Sequence, residues 1–135
     1  MNWKIIFQLS VFGLIMAIGT LSLIPEKFEP FFWLVIMLFS AWVIAKVCSG
    51  KYFLHGFLLG LANCFWLTLT DVLLYNTYIA HHADMATMNN SMPEAIIQHP
   101  RIGMIMVYLF IGIGSGLIIG LFSFIASKFV KKKLA

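Results

Sequence analysis

Four long apolar runs divide the chain, at 5–24, 31–47, 52–78 and 102–127. A helix needs about 20 apolar residues to cross the hydrocarbon core of a bilayer, and each run comes near that length or exceeds it. The breaks between them are polar. Pro25-Glu26-Lys27-Phe28-Glu29-Pro30 is a tight loop bracketed by prolines, which end one helix and open the next. Lys46, Ser49-Gly50 and Lys51 mark a second turn, and 79–101 is the one long connection. Within it, Ser91-Met92-Pro93-Glu94 matches a capping box with proline in the first turn, predicting a short helix through Gln98 that stops at His99-Pro100. The pattern predicts an all-α fold in a single domain, 1–135. Four antiparallel transmembrane helices run up-down-up-down, with a short interfacial helix in the second outer loop and a basic tail at 128–135.

The third run differs from the others because its polar residues are patterned. At about 100° per residue, Gly60, Cys64, Thr68, Asp71, Tyr75, Tyr78 and His82 fall in one narrow stripe. Leu58, Leu59, Trp66, Leu69 and Leu73 make the opposite side apolar. Such a helix is expected to turn one face to protein and the other to lipid. The first run reads as a retained helix. Lys4 ahead of it and Ala17-Ile18-Gly19 within it also fit a cleaved leader, but the apolar stretch continues past that point for a full membrane width. Trp33 and Trp42, near the two ends of the second run, suit interfacial anchors.

Composition sharpens this picture. The chain is 61% hydrophobic and 10% charged, with a mean hydropathy of +0.96. So few charges cannot cover a water-soluble globule, so the lipid bilayer is the expected partner. The net charge of +4 then becomes a topology signal, not a nucleic-acid footprint. With the N-terminus inside, Lys4, Lys46, Lys51, Lys128, Lys131, Lys132 and Lys133 lie on the inner side, and only Lys27 and Arg101 lie outside. Both termini are therefore expected in the cytoplasm, with the protein in the cell (inner) membrane. Cys48 and Cys64 have no metal-type spacing and read as packing residues.

Three constellations could carry chemistry. The first is Asp71. A carboxylate in hydrocarbon costs about 2.5–3.5 kcal/mol at a helix centre, and at 1.5 Å per residue Asp71 lies about 28 Å from Tyr52, near the outer boundary. The fourth run offers partners on one face in Arg101, Tyr108, Gly112 and Ser115, and an Asp71–Arg101 pair bridged by Tyr108 or water is expected. Asn63, Thr68, Asp71, Tyr75, Arg101 and Tyr108 together form the candidate substrate or ion path, with Asn63 as an interhelical donor. The second is the glycine row Gly112, Gly116 and Gly120, with Gly56 and Gly60 on the third helix and Gly13 and Ala17 on the first. These small-xxx-small (GxxxG) steps let helix backbones approach closely, within the chain or between copies in a homo-oligomer. The third is the outer loop. His81, His82, Asp84, Met85 and Met88, followed by Met92 and His99, combine imidazole and thioether ligands that suit copper, while Met85, Met88 and Met92 equally form an interfacial stripe.

The stretch from Tyr75-Asn76-Thr77-Tyr78-Ile79 through Met92-Pro93-Glu94 to a glycine-rich last helix ending in lysines resembles small uncharacterised bacterial four-helix membrane proteins of the domain-of-unknown-function type. That resemblance implies topology and no activity. Small multidrug transporters also have four helices but use a glutamate in the first, where this chain has no carboxylate. There is no placed nucleophile and base, no paired carboxylates and no phosphate-cradling loop, so neither enzyme activity nor a cofactor is expected. The leading expectation is a structural, assembly or accessory subunit acting by helix packing. The alternatives are a small oligomeric transporter or channel and, third, a metal-binding loop at His81 and His82.

Overall fold

The computed structural model describes residues 1–130, apart from the side chains of Met85, Ala86 and Asn89. The described residues are helical throughout their ordered elements: α1 Trp3–Ser22, α2 Glu29–Val47, α3 Tyr52–Leu73, α4 Tyr75–His81, α5 Ala83–Asn90, α6 Glu94–Ile97 and α7 Pro100–Phe129. A 3-10 turn, Glu26–Phe28, fills the proline-bracketed loop. The four long helices are each apolar enough to cross a membrane, the make-up of a multi-pass membrane protein. The lysines at 131–133 lie outside the described residues.

Beyond shifts of a few residues at helix ends, two stretches depart from the sequence expectation. The third apolar run is two helices, because Leu74 leaves the helical region (φ −106°, ψ 35°); neither proline nor glycine marks that bend. The long connection holds α5 as well as the expected short helix. That short helix, α6, is capped at Pro93, while Ser91 Oγ donates instead to the Met88 carbonyl at 2.8 Å. The turn into α3 has a left-handed residue at Lys51 (φ 51°).

The α3–α7 seam is the most extensive, followed by α1–α3 and α2–α7, while α1 and α2 barely meet. Glycine explains the closeness of the first seam. A Cβ added to Gly60 would land on the backbone of Gly116, one on Gly56 would meet the Ile119 carbonyl and Gly120 Cα, and one on Gly120 would meet the Phe53 carbonyl. Further along, Gly112 takes the side chain of Cys64. The register descends on one helix as it climbs on the other. On the α1 side, Gly13 accommodates the side chain of Asn63.

Because α3 is covered by α7 on one side and α1 on the other, its apolar side is not uniformly lipid-facing. Leu59 is fully buried with Leu9, Ile44, Cys48 and Ile119. Trp66 is half-buried and donates its Nε1–H to Ser10 Oγ at 3.2 Å. Only Leu69 and Leu73 of the five residues expected on that side are exposed. The exposed apolar surface sits elsewhere, along α2 (Phe31, Leu34, Leu38, Trp42) and α7 (Ile102, Leu109, Phe110, Leu121). Continuous apolar faces of that extent are unsuited to water and suited to lipid.

The two ends of the chain's first half are tied by a histidine that the sequence reading passed over. His55, buried at the start of α3, donates Nδ1–H to the Lys51 carbonyl at 2.8 Å and accepts the Asn2 backbone N–H at Nε2, 2.9 Å away. Both bonds fix one neutral tautomer. The Asn2 side chain in turn caps α1 by accepting from Ile5 N.

Candidate functional site

The four long helices and α4 enclose a cavity of about 340 Å³. Trp33 and Met37 of α2 line one wall, Asn63, Leu67 and Asp71 of α3 another, and Tyr108, Ile111 and Ser115 of α7 a third. Tyr78 of α4, with Thr20 and Glu29, surrounds one end. Trp33, expected as an interfacial anchor, is thus a half-buried wall residue. Trp42 does face outwards, with the Lys46 ammonium 4.6 Å from its ring centroid.

Asp71 is the chemical centre. Its side chain is 1% exposed, the deepest carboxylate among the described residues. Oδ2 accepts the Tyr108 hydroxyl at 2.6 Å, a short charge-assisted bond, and Oδ1 has no hydrogen-bond partner. Tyr78 lies beside Tyr108, so two phenols stand next to the carboxylate. The expected Asp71–Arg101 pair does not form. Arg101 is exposed, with its guanidinium 5.9 Å from the Tyr75 ring centroid. The reason is register: α7 begins at Pro100, so Arg101 sits on its first turn beyond the bundle. Tyr108, two turns further in, is level with Asp71.

The remaining path residues divide accordingly. Asn63 is buried at the cavity wall, but its Oδ1 turns towards Gly13 and finds no donor, where an interhelical hydrogen bond was expected. Thr68 is satisfied within its own helix, donating to the Cys64 carbonyl at 2.8 Å. Tyr75 belongs with Arg101 to a separate shallow surface pocket beside Gln98 and His99. Of the six candidates, the structure brings together Asn63, Asp71 and Tyr108 and leaves Thr68, Tyr75 and Arg101 outside. Cys64 joins the wall, its Sγ–H donating to the Tyr108 carbonyl at 2.6 Å. Neither cysteine forms a disulfide.

Two residues at the cavity's α4 end escaped the sequence reading in this role. His82 is 3% exposed, stacks on Tyr78 with ring centroids 4.1 Å apart, and meets Glu29 Oε1 through Nε2 at 3.0 Å. Its Nδ1–H donates to the Tyr78 carbonyl at 2.9 Å. Glu29 is the first residue of α2, where the helix dipole favours a carboxylate. This bond ties α4 to α2 across a sequence gap that no local pattern spans, and the bend at Leu74 is what carries His82 there. Burial alone would hold the imidazole pKa down. The hydrogen bonds to Glu29 and to the Tyr78 carbonyl, with the charges of Glu29 and Glu26, outweigh it, so His82 lies above its ordinary 6.5.

A pH dependence follows. With the folded pKa above the unfolded 6.5, the His82–Glu29 bond stabilises fully below that value and fades as pH rises through the folded pKa. Thermal unfolding in detergent should therefore show a native Tm that falls between pH 5.5 and pH 8. In His82→Gln that His-linked fall should be missing; an identical pH profile in both chains would remove this role for His82.

The metal constellation is not assembled. Among the described residues no three His, Cys, Asp or Glu side chains come together. His82 has both ring nitrogens engaged, His81 is exposed, and Met88 and Met92 line a different, apolar pocket with Tyr78 and Gly103. Met85 lies outside the described side chains. Comparison with family models, with curated proteins and with solved structures gave no match to this chain. The resemblance to small four-helix membrane proteins stands on the sequence motifs alone.

Proposed function

We propose that this is a small transport-type membrane protein that handles a solute or proton at Asp71, in the cavity between its four long helices. The observation that carries this reading is the buried, half-unpartnered carboxylate on the cavity wall. Ionisable groups inside a membrane domain are costly and are retained where ions, protons or substrates pass. A purely structural Asp71 would be expected to have both oxygens satisfied, since an unpaired buried acceptor costs about 1–3 kcal/mol. The topology that accompanies the proposal is up-down-up-down in the inner membrane, with both termini cytoplasmic, supported by the lysine distribution and by the descending α3–α7 register. Glu29 and His82 then lie at the outer end of the cavity, where they can respond to external pH.

The accessory-subunit reading keeps one observation in its favour: the glycine seam packs the bundle tightly around a cavity at the small end of ligand sites. Vesicles separate the two. Protein reconstituted into liposomes loaded with a pH-sensitive dye is challenged in turn with small organic amines, carboxylic acids, sugars and alkali-metal ions under an imposed potential. Empty vesicles supply the unassisted permeation. At least one class should shift internal pH faster in native vesicles, and Asp71→Asn should return that rate to the empty-vesicle level. No response to any class leaves only the accessory reading.

A further inference from the structure

The cavity's chemistry narrows the solute class, and this step rests on the transport reading above. Its negative groups are Asp71 and, at one end, Glu29, and neither lysine nor arginine lines it. An anion or a zwitterion would meet carboxylates with nothing to offset its own negative charge. A neutral polar solute would leave the Asp71 charge uncompensated in a low-dielectric site. The occupant with the right sign is a cation that donates hydrogen bonds.

The kind of cation follows from the donor set. Oδ2 of Asp71 is already taken by Tyr108 at 2.6 Å, leaving the buried Oδ1 as its single unpartnered acceptor. Guanidinium is best matched by two parallel bonds to one carboxylate, and here one oxygen is occupied. A hard metal ion needs about six oxygen ligands, whereas the nearby hydroxyls of Thr20 and Ser115 are turned to backbone carbonyls of their own helices. An ammonium head needs only the one charged acceptor plus π-faces, and Trp33, Tyr78 and Tyr108 supply aromatic rings to the same space. Of the rest of the lining, Met37, Leu67, Ile111 and Ile119 are apolar, while Asn63 turns its Oδ1 towards Gly13 and Cys64 is bonded to the Tyr108 carbonyl. About 340 Å³ is near the lower limit for ligand pockets, so the body attached to that head is compact.

We infer that the site takes a small primary organic ammonium, its N–H groups meeting Asp71 Oδ1 and its compact apolar body lying against Leu67 and Ile111 under the rings of Trp33 and Tyr108. Benzylammonium and benzyl alcohol serve as charged and neutral probes with the same body. Titration calorimetry is run on the full chain in nanodiscs of neutral phospholipid at pH 7. Benzylammonium should bind the native chain at least ten-fold tighter than benzyl alcohol, and Asp71→Asn should erase that difference. Equal affinities in the native chain, or an undiminished preference in Asp71→Asn, overturn the inference. Where Asp71→Asn does not fold, Leu67→Trp carries the test: it keeps the carboxylate and fills the cavity, so benzylammonium binding should fall at least ten-fold, and unchanged binding overturns the site. The two levels fail separately. An Asp71-dependent vesicle response to another solute class, with no benzylammonium binding, removes the ammonium and keeps transport. Binding without any vesicle response keeps the ammonium site and removes transport.

Discussion

Gly60→Val should abolish the folded bundle. The added Cβ lands on the Gly116 backbone, and a backbone inside a helix cannot swing aside as the end of a long side chain can. Overpacking typically costs about 1–3 kcal/mol, and separating α3 from α7 also loosens Gly56 against Gly120 and Cys64 against Gly112, so about 3 kcal/mol or more is expected. The readout is the folded fraction in mild detergent, by monodisperse elution and thermal unfolding. Gly114→Val is the matched control, since nothing lies within 4 Å of a Cβ there, and it should stay within about 0.5 kcal/mol of native. Gly116→Ile should behave like Gly60→Val, lowering folded yield instead of converting an oligomer to monomers, because its neighbour is Phe57 of the same chain. A well-folded Gly60→Val protein would be incompatible with this seam.

Tyr108→Phe should be the most damaging conservative change at the cavity. It removes one oxygen and leaves Asp71, 1% exposed, with neither carboxylate oxygen bonded. Hydrogen bonds to charged groups contribute about 1.5–3 kcal/mol, and the loss should fall at the upper end because the acceptor cannot be rehydrated without opening the bundle. Asp71→Asn in the Tyr108→Phe background should recover part of it, since a neutral amide is less costly to bury unpaired. A double-mutant cycle on Tm-derived stabilities measures the coupling. Coupling near zero, with Tyr108→Phe as stable as the native chain, would mean that water already solvates Asp71. The same variant bears on function: with the Tyr108 hydroxyl gone neither carboxylate oxygen has a protein partner, and an ammonium probe should lose less affinity than in Asp71→Asn.

How far the sequence reaches can be judged from particular residues. The polar stripe of the third run correctly singled out Gly60, Cys64, Asp71, Tyr78 and His82, all buried in the structure, because 3.6-residue periodicity is a local property. It misjudged Leu59 and Trp66 because periodicity says which residues share a face and not how many neighbours a helix has. It chose Arg101 for Asp71 by charge, whereas the helix start at Pro100 put Tyr108 level with the carboxylate. It passed over His55 and gave Glu29 and His82 no shared role. Their bonds close gaps of 53 residues in each case, and nothing in a one-dimensional pattern fixes such a pairing.

By itself the sequence determined an all-helical chain with four spans, the positions of the breaks to within a few residues, and the glycine positions where helices can close together. Those follow from hydrophobic run length, proline and glycine chemistry, and charge. Tertiary structure alone decided that α3 is the central helix, that Leu74 bends its continuation so His82 reaches Glu29, and that Asp71, on a cavity wall, has one oxygen held by Tyr108 and one buried without a partner. These depend on which helices touch and at what height, and that is set by packing between residues far apart in the chain.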